Sequence, residues 1–330
     1  MKKVRWGVLS TAKIAREKVI PAMLKAEHVE LVAIASRNYD RAKEVADDLG
    51  IATAYGSYEE LLNDDSIEAI YNPMPNHLHV PWAIKALEAG KHILCEKPIA
   101  LSVDEAQELA AAAKKYPQIK AMEAFMYRFH PQWIKAKELL DSGEIGELKT
   151  IQSFFSYFLD DPSNVRSVAE WGGGGLMDIG CYNISLSRFI FGSEPKRLVA
   201  TLDFDAVTKV DNYCSGILEF KNGKSDFSCS TYLSPYQRVN IFGTKGRIEI
   251  EIPFNAPTDT ACKLFLEKDA LIKEVVFELT DQYTAQVEAF SLAVLNNTAV
   301  PTSLSDAVNN MKVIEAVFES DREQKWIAID

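Results

Sequence analysis

Cysteine is scarce and unpatterned in this chain. The five residues Cys95, Cys181, Cys214, Cys229 and Cys262 make an odd count with no Cys-x-x-Cys, which argues against a disulfide framework or a zinc site and fits reduced thiols in a cytoplasmic protein. No block of Lys and Arg occurs and the net charge is −11, so neither a nucleic-acid nor an anionic-membrane surface is expected. No apolar run is long enough to span a bilayer. Met1-Lys2-Lys3-Val4-Arg5 leads straight into a strand pattern, with no signal peptide in view. Internal repeats, low-complexity tracts and an obvious flexible linker are absent as well. What is present is an ordinary globular composition, 47% hydrophobic and 25% charged over 330 residues. That is enough for a large core and for about two domains of roughly 150 residues each.

Strand and helix patterns alternate through the first third. Apolar strands at 4–9, 29–36, 67–71, 93–95 and 119–124 alternate with helical spacing at 13–25, 40–49, from 57, 78–89 and 102–115. Pro21 weakens or kinks the first helix. Asp40 and Asn76 read as caps, Ser57 with Glu60 as a capping box, and Gly90 as a stop. This alternation predicts right-handed βαβ crossovers and a parallel sheet. After the Phe- and Tyr-rich strand at 148–158 the character changes. Strands at 198–204, 212–220, 224–231, 237–242 and 247–252, with hairpin turns at Asn222-Gly223 and Thr244-Lys245-Gly246, predict a mostly antiparallel sheet. Helices at 281–295 and 305–320 close the chain. The fold class is therefore α/β: a doubly wound parallel sheet over 1–120, then an α+β domain over 121–330 with a large open, mostly antiparallel sheet.

In a doubly wound sheet ligands bind beyond the carboxyl ends of the strands, and a dinucleotide fingerprint reads Gly-x-Gly-x-x-Gly/Ala after the first strand. Here that window is Ser10-Thr11-Ala12-Lys13-Ile14-Ala15. Only Ala15 matches, with Ser10 and Ala12 in place of the glycines. These residues still permit close approach, and the Ser10 and Thr11 hydroxyls can donate to a phosphate; a generic strand–helix turn is equally compatible. The second strand ends in Ser36-Arg37, where an acid would hold the ribose 2′-hydroxyl of NAD. A guanidinium beside a hydroxyl suits a 2′-phosphate, which favours NADP, with NAD still possible. Arg41 lies one turn on and can assist. A solvated loop arginine is the other reading.

The stretch Ile93–Cys95 runs into Glu96-Lys97-Pro98, two opposite charges and a proline at a buried strand end. They are either a salt bridge with a turn proline or a pair at the mouth of a crevice. There Lys97 can bind a substrate hydroxyl or lower a neighbouring pKa. A second strand end carries Phe125-Met126-Tyr127-Arg128-Phe129-His130-Pro131. Further on, Gly172 to Gly175 lead into a helical pattern with Asp178 and Tyr182 four apart, on one face. A phenol and a carboxylate there can address one substrate. The alternative is a core tyrosine and an acid placed for the helix dipole.

Taken together, Glu96-Lys97-Pro98, the run from Glu123 to Pro131, and the run from Gly174 to Tyr182 resemble the Gfo/Idh/MocA oxidoreductase family over essentially the whole chain. Within the family it resembles the branch of dimeric dihydrodiol dehydrogenases and NADP-dependent D-xylose dehydrogenases, where Ser-Thr-Ala also replaces the glycine pair. The resemblance implies an N-terminal Rossmann domain and a C-terminal sheet domain that pairs in homodimers or homotetramers. It implies Lys97 as catalytic lysine, Tyr182 as acid/base and Asp178 as a binder of substrate hydroxyls. Asn72, Pro73, Asn76 and His77 would border the nicotinamide ribose, with Glu96 beside the cofactor. Tyr127, Arg128, Asn164, Arg166 and Trp171 would supply pocket walls, Phe154, Phe155 and Phe158 belong to the core, and Lys97–Pro98 is expected cis.

The reaction so implied is reversible oxidation of an alcohol on an aldose, inositol or trans-dihydrodiol. Lys97 and Tyr182, one from each half, would meet at the reacting oxygen. No metal is required. Two other readings are a cofactor-bound sensor without turnover and a redox-assisted glycosidase that retains NAD.

Overall fold

A computed structural model describes residues 2–329. The chain divides into two units, Met1–Met126 with Gln282–Val308 and Tyr127–Asp281 with Asn309–Asp330. The first crossing lies six residues past the boundary drawn from sequence, and the helix Gln282–Leu295 returns to the first unit. There the Trp6 indole donates to Ser291 Oγ at 3.1 Å and packs on the Phe290 ring at 5.3 Å.

The first unit holds six parallel strands: β1 (Val4–Leu9), β2 (Val29–Ala35), β3 (Thr53–Tyr55), β4 (Ala69–Asn72), β5 (His92–Cys95) and β6 (Ala121–Glu123), in the order β3-β2-β1-β4-β5-β6. The near-continuous apolar runs of β1 and β4 follow from burial on both faces. Strand order reverses between β1 and β4, so the loops after them flank the point where this architecture takes a ligand.

Three helix starts differ from the sequence pattern. The helix before Lys25 contains a wide turn, Ala15–Val19, in which the Ile20 N–H reaches back to Ala15 O, one residue beyond α-helical spacing. That turn immediately precedes Pro21, whose missing N–H it absorbs. Helix Tyr39–Leu49 is capped by Asn38, whose Oδ1 accepts the Arg41 N–H at 3.1 Å, and not by Asp40. Asn76 is not the N-cap residue of the helix that follows: it opens a 3-10 turn, Asn76–Leu78, ahead of helix His79–Glu88. Ser57 and Ser102 do cap their helices.

The second unit is built on a nine-stranded sheet. Its strands are β7 (Leu148–Phe158), β8 (Arg197–Phe204), β9 (Asp211–Glu219), β10 (Lys224–Ser230), β11 (Tyr232–Gly243), β12 (Gly246–Ile250), β13 (Lys263–Lys268), β14 (Leu271–Val276) and β15 (Ile327–Ala328). They run in the order β14-β13-β12-β11-β7-β10-β9-β8-β15, antiparallel except for β7 with β10. Strands β13 and β14 escape the sequence pattern because their turn, Asp269-Ala270, takes φ of +52° and +61° without glycine or proline. The β9–β10 hairpin turns at Lys221-Asn222, closed by the Phe220 N–H to Gly223 O at 2.8 Å. Gly223 follows the turn instead of forming it. A Cβ there would lie 2.3 Å from Lys149 O. Of the three phenylalanines assigned to the core, Phe155 is buried, Phe154 is half-buried, and Phe158 is 56% exposed against Tyr232.

Candidate active site

In the first unit the turn after β1 takes the shape of a glycine-rich loop without its glycines. Ser10 adopts φ +86°, the left-handed region that glycine normally occupies. Its N–H extends the β1–β2 ladder to Ala35 O at 2.9 Å. Arg16 Nε holds the Thr11 carbonyl at 3.1 Å, and Ala15 is fully buried where a larger side chain would lift the helix off the sheet. This turn, with Ser10, Thr11, Ala12 and Ile14 around it, fits a pyrophosphate. Replacing Ser10 with Gly should relieve the strain and raise the unfolding midpoint, by up to about 1 kcal/mol of stability. A lower midpoint would mean that the hydroxyl, and not the backbone, decides the position.

At the end of β2, Ser36 Oγ accepts the Asn38 N–H at 3.2 Å, and Arg41 is ion-paired to Glu44. Arg37 is exposed, and among the described residues no carboxylate pairs with it. After β4, the Asn72 side chain is fully buried and spent on its own loop, donating to His79 O at 3.2 Å and accepting the Met74 N–H at 3.2 Å. It shapes the loop that presents Pro73, Asn76 and His77.

The Glu96-Lys97-Pro98 turn is held from three sides. Tyr71 Oη donates to Glu96 Oε1 at 2.6 Å, and burial followed by the Glu96 charge pushes that phenol well above its ordinary pKa. Glu96 Oε2 accepts the Lys97 N–H at 3.3 Å. The Lys97–Pro98 bond is cis. The His79 ring lies between two carbonyls, with Nδ1 2.7 Å from Pro98 O and Nε2 2.7 Å from Met74 O. A neutral ring donates to only one of them. Both contacts favour the imidazolium, but burial outweighs them and brings the pKa down to about 4. The ring is thus lodged between the Lys97 turn and the loop after β4, donating to one of the two.

In the second unit the run from Gly174 to Tyr182 begins with a wide turn, Leu176–Gly180, followed by helix Cys181–Phe191. The Cys181 N–H reaches back to Leu176 O, so the Asp178–Tyr182 spacing crosses a π-type turn and not a regular α-helix. Asp178, with a side chain 12% exposed, holds two donors on Oδ2: Tyr157 Oη at 2.5 Å and Arg166 Nε at 2.9 Å. Burial and then the Asp178 charge raise the Tyr157 phenol, while Asp178 holds Arg166 firmly protonated. Asn164 acts one step back, its Oδ1 accepting the Arg166 N–H at 3.0 Å. Tyr182 is 5% exposed, its ring packed on Tyr127, Phe155 and Phe254 with centroids 5.8, 5.8 and 5.5 Å away.

Two expected pocket-wall residues have other duties. Tyr127 has no exposed surface; its Oη lies 2.9 Å from Ser185 Oγ, and its ring belongs to the aromatic core with Trp133 and Phe254. Arg128 shares Ser185, with Nη2 2.7 Å from Oγ. Trp171, by contrast, is 40% exposed. Sequence reasoning misses Tyr71, His79 and Tyr157, whose partners come from distant elements. The one available signal is a polar side chain at or beside the end of an apolar strand, which Tyr71 and Tyr157 both carry. Among the described residues no cluster of three or more His, Cys, Asp and Glu is placed to hold a metal ion, and no helix is long and apolar enough to cross a membrane.

A β3-β2-β1-β4-β5-β6 parallel sheet with a phosphate-shaped turn after β1, coupled in one chain to a large antiparallel sheet unit, defines a two-part dinucleotide-dependent oxidoreductase. Residues 4–124 match the oxidoreductase family with an NAD-binding Rossmann fold, and residues 133–249 match the GFO/IDH/MocA C-terminal domain. The chain belongs to the Gfo/Idh/MocA oxidoreductase family. Among its relatives are the D-xylose 1-dehydrogenase (NADP(+)) 2 of Haloferax volcanii, 40% identical over 98% of this chain and 99% of that protein. Another is the trans-1,2-dihydrobenzene-1,2-diol dehydrogenase of Xenopus tropicalis, 36% identical over 77% of each. A solved 3-ketoreductase from Actinomadura kijaniata, in complex with NADP and TDP-benzene, is 28% identical with a TM-score of 0.90, covering 97% of this chain and 98% of that one.

Proposed function

We propose that this protein is an NADP-preferring dehydrogenase acting on a CH–OH group of an aldose or related polyhydroxylated ring. Tyr182 takes the hydroxyl proton, Lys97 binds the same oxygen and favours the phenolate by its charge, and Asp178 orients an adjacent hydroxyl. Nicotinamide, when bound, supplies the hydride acceptor. Ser10, Thr11, Ala12 and Ile14 hold the pyrophosphate, Ser36 and Arg37 take the 2′-phosphate, and Pro73, Asn76, His77 and Glu96 border the nicotinamide ribose. Arg41 is spent on Glu44 and adds only its general charge.

The observation that carries the reading is the Asp178 carboxylate, fixed by Tyr157 and Arg166 and followed four residues later by an aromatic-caged phenol. The NADP and the sugar and diol alcohols in the relatives' names support the same choice. Purified protein given NADP or NAD with a panel of aldoses, inositols and trans-dihydrodiols should accumulate reduced cofactor in proportion to substrate, faster with NADP. Silence on every substrate would favour a sensor. Glycoside cleavage without net reduction would favour a glycosidase.

The same reading includes a homo-oligomer through the open face of the nine-stranded sheet. On that face Phe154 and Ile217 alternate with buried Phe155 and Leu218, and Arg238 and Arg247 are laced to Glu249. Light scattering should report a dimer or larger assembly; a monomer at every concentration contradicts it.

A further inference from the structure

The two glycines that precede the Leu176–Gly180 turn are bare because a carboxylate occupies the space beside them. A Cβ on Gly174, at φ +111°, would stand 2.1 Å from Asp211 Oδ1, and one on Gly175 would stand 3.3 Å from Oδ2. Asp211, the first residue of β9, is buried. Its Oδ2 accepts the Leu176 N–H at 2.6 Å, and the Gly175 N–H adds a second bond. Among the described residues no cation pairs with it.

Such a group is costly to keep. Burial pushes its pKa to about 7 against the opposing pull of those N–H groups, and the Asp178 charge pushes the same way. Between the ordinary carboxylate value and about 7 the unfolded chain therefore ionises first, and stability falls as pH rises. Stability does not account for the residue. We propose that Asp211 is a positioning residue, fixing the start of the Leu176–Gly180 turn so that Asp178 and Tyr182 are presented at a set rotation. The inference rests on the roles proposed above for those two residues. The charged and titratable groups facing Asp211 are the Asp178 carboxylate, on the turn it anchors, and the Cys229 thiol on β10.

Asp211→Asn keeps the shape but sets an amide nitrogen or a weaker acceptor against the Leu176 N–H. Its kcat should fall on the order of tenfold, with NADP affinity unchanged. The kinetic limb near neutral pH that Asp211 contributes should disappear. Wild-type kcat with an unchanged pH profile overturns the proposal, and so does a loss shared equally with NADP affinity. Hydrogen exchange on the wild-type protein needs no variant to fold. Corrected for intrinsic rates, exchange at the Gly175 and Leu176 amides should quicken as pH rises from about pH 5 to about pH 7, because the opening that frees them exposes Asp211 and lets it ionise. Flat protection overturns the proposal. If the wild-type protein oxidises no alcohol, the reading of Tyr182 fails, while the exchange result still decides whether Asp211 anchors the turn.

Discussion

Lys97→Met should bind NADP nearly as well as the wild-type protein and turn over on the order of 10³-fold more slowly, the usual scale of a disabled proton transfer, since Tyr182 would lose the charge that favours its phenolate. The prediction is sharp because the turn that carries Lys97 has supports besides its ammonium. Tyr71 holds Glu96, Glu96 accepts the Lys97 backbone N–H, and the His79 ring packs against the Pro98 carbonyl. Methionine keeps most of the apolar stem and removes the ammonium, with its charge and its donors. Tyr182→Phe is the companion experiment: it deletes one oxygen and leaves the ring among Tyr127, Phe155 and Phe254. Both variants should fold with little change in thermal midpoint. Turnover at the wild-type rate in either one contradicts its role. A matching loss of NADP affinity in Lys97→Met would show instead that the turn had collapsed.

Arg37→Ala should weaken NADP by on the order of 30-fold and NAD by less than about twofold, since one charge-assisted contact is typically worth about 1.5–3 kcal/mol. Nearby charges do not compensate. Arg41 is paired with Glu44, and Ser36 Oγ already accepts the Asn38 N–H, leaving its own proton to donate. Arg37 is exposed, so added salt should narrow the gap between the cofactors in the wild-type protein as well. Cofactor dissociation constants measured for both variants and both nucleotides decide the matter. Equal losses for NADP and NAD would remove the 2′-phosphate from the account.

How much of this was legible in the amino-acid sequence depended on the range of the interactions involved. Buried parallel strands announce themselves as apolar runs, and β1, β2, β4 and β5 stand within two residues of their predicted limits. Hairpins were legible where glycine marked them and invisible at Asp269-Ala270, where two ordinary residues take positive φ. Ser10 shows the reverse: a non-glycine residue performs the glycine's backbone role, so a motif search sees a mismatch while the chain takes the same path. The candidate site divides in the same way. Lys97, Asp178 and Tyr182 can be named from local runs. Their supports cannot, because Tyr71 reaches Glu96 across 25 residues, Tyr157 reaches Asp178 across 21, and Asp211 reaches Leu176 across 35. Tyr127 misleads for the same reason, since its neighbours in sequence look like a pocket rim and its neighbours in space are core.

Isotope transfer tests the central claim most directly. Take whichever panel alcohol supports turnover, deuterate its carbinol carbon, and weigh the reduced cofactor by mass spectrometry. One deuterium per nicotinamide is the predicted result, because in the proposed mechanism the carbon-bound hydrogen leaves as hydride and Tyr182 handles only the hydroxyl proton. Reduced cofactor free of deuterium, with the label retained on the sugar or lost to water, would contradict it.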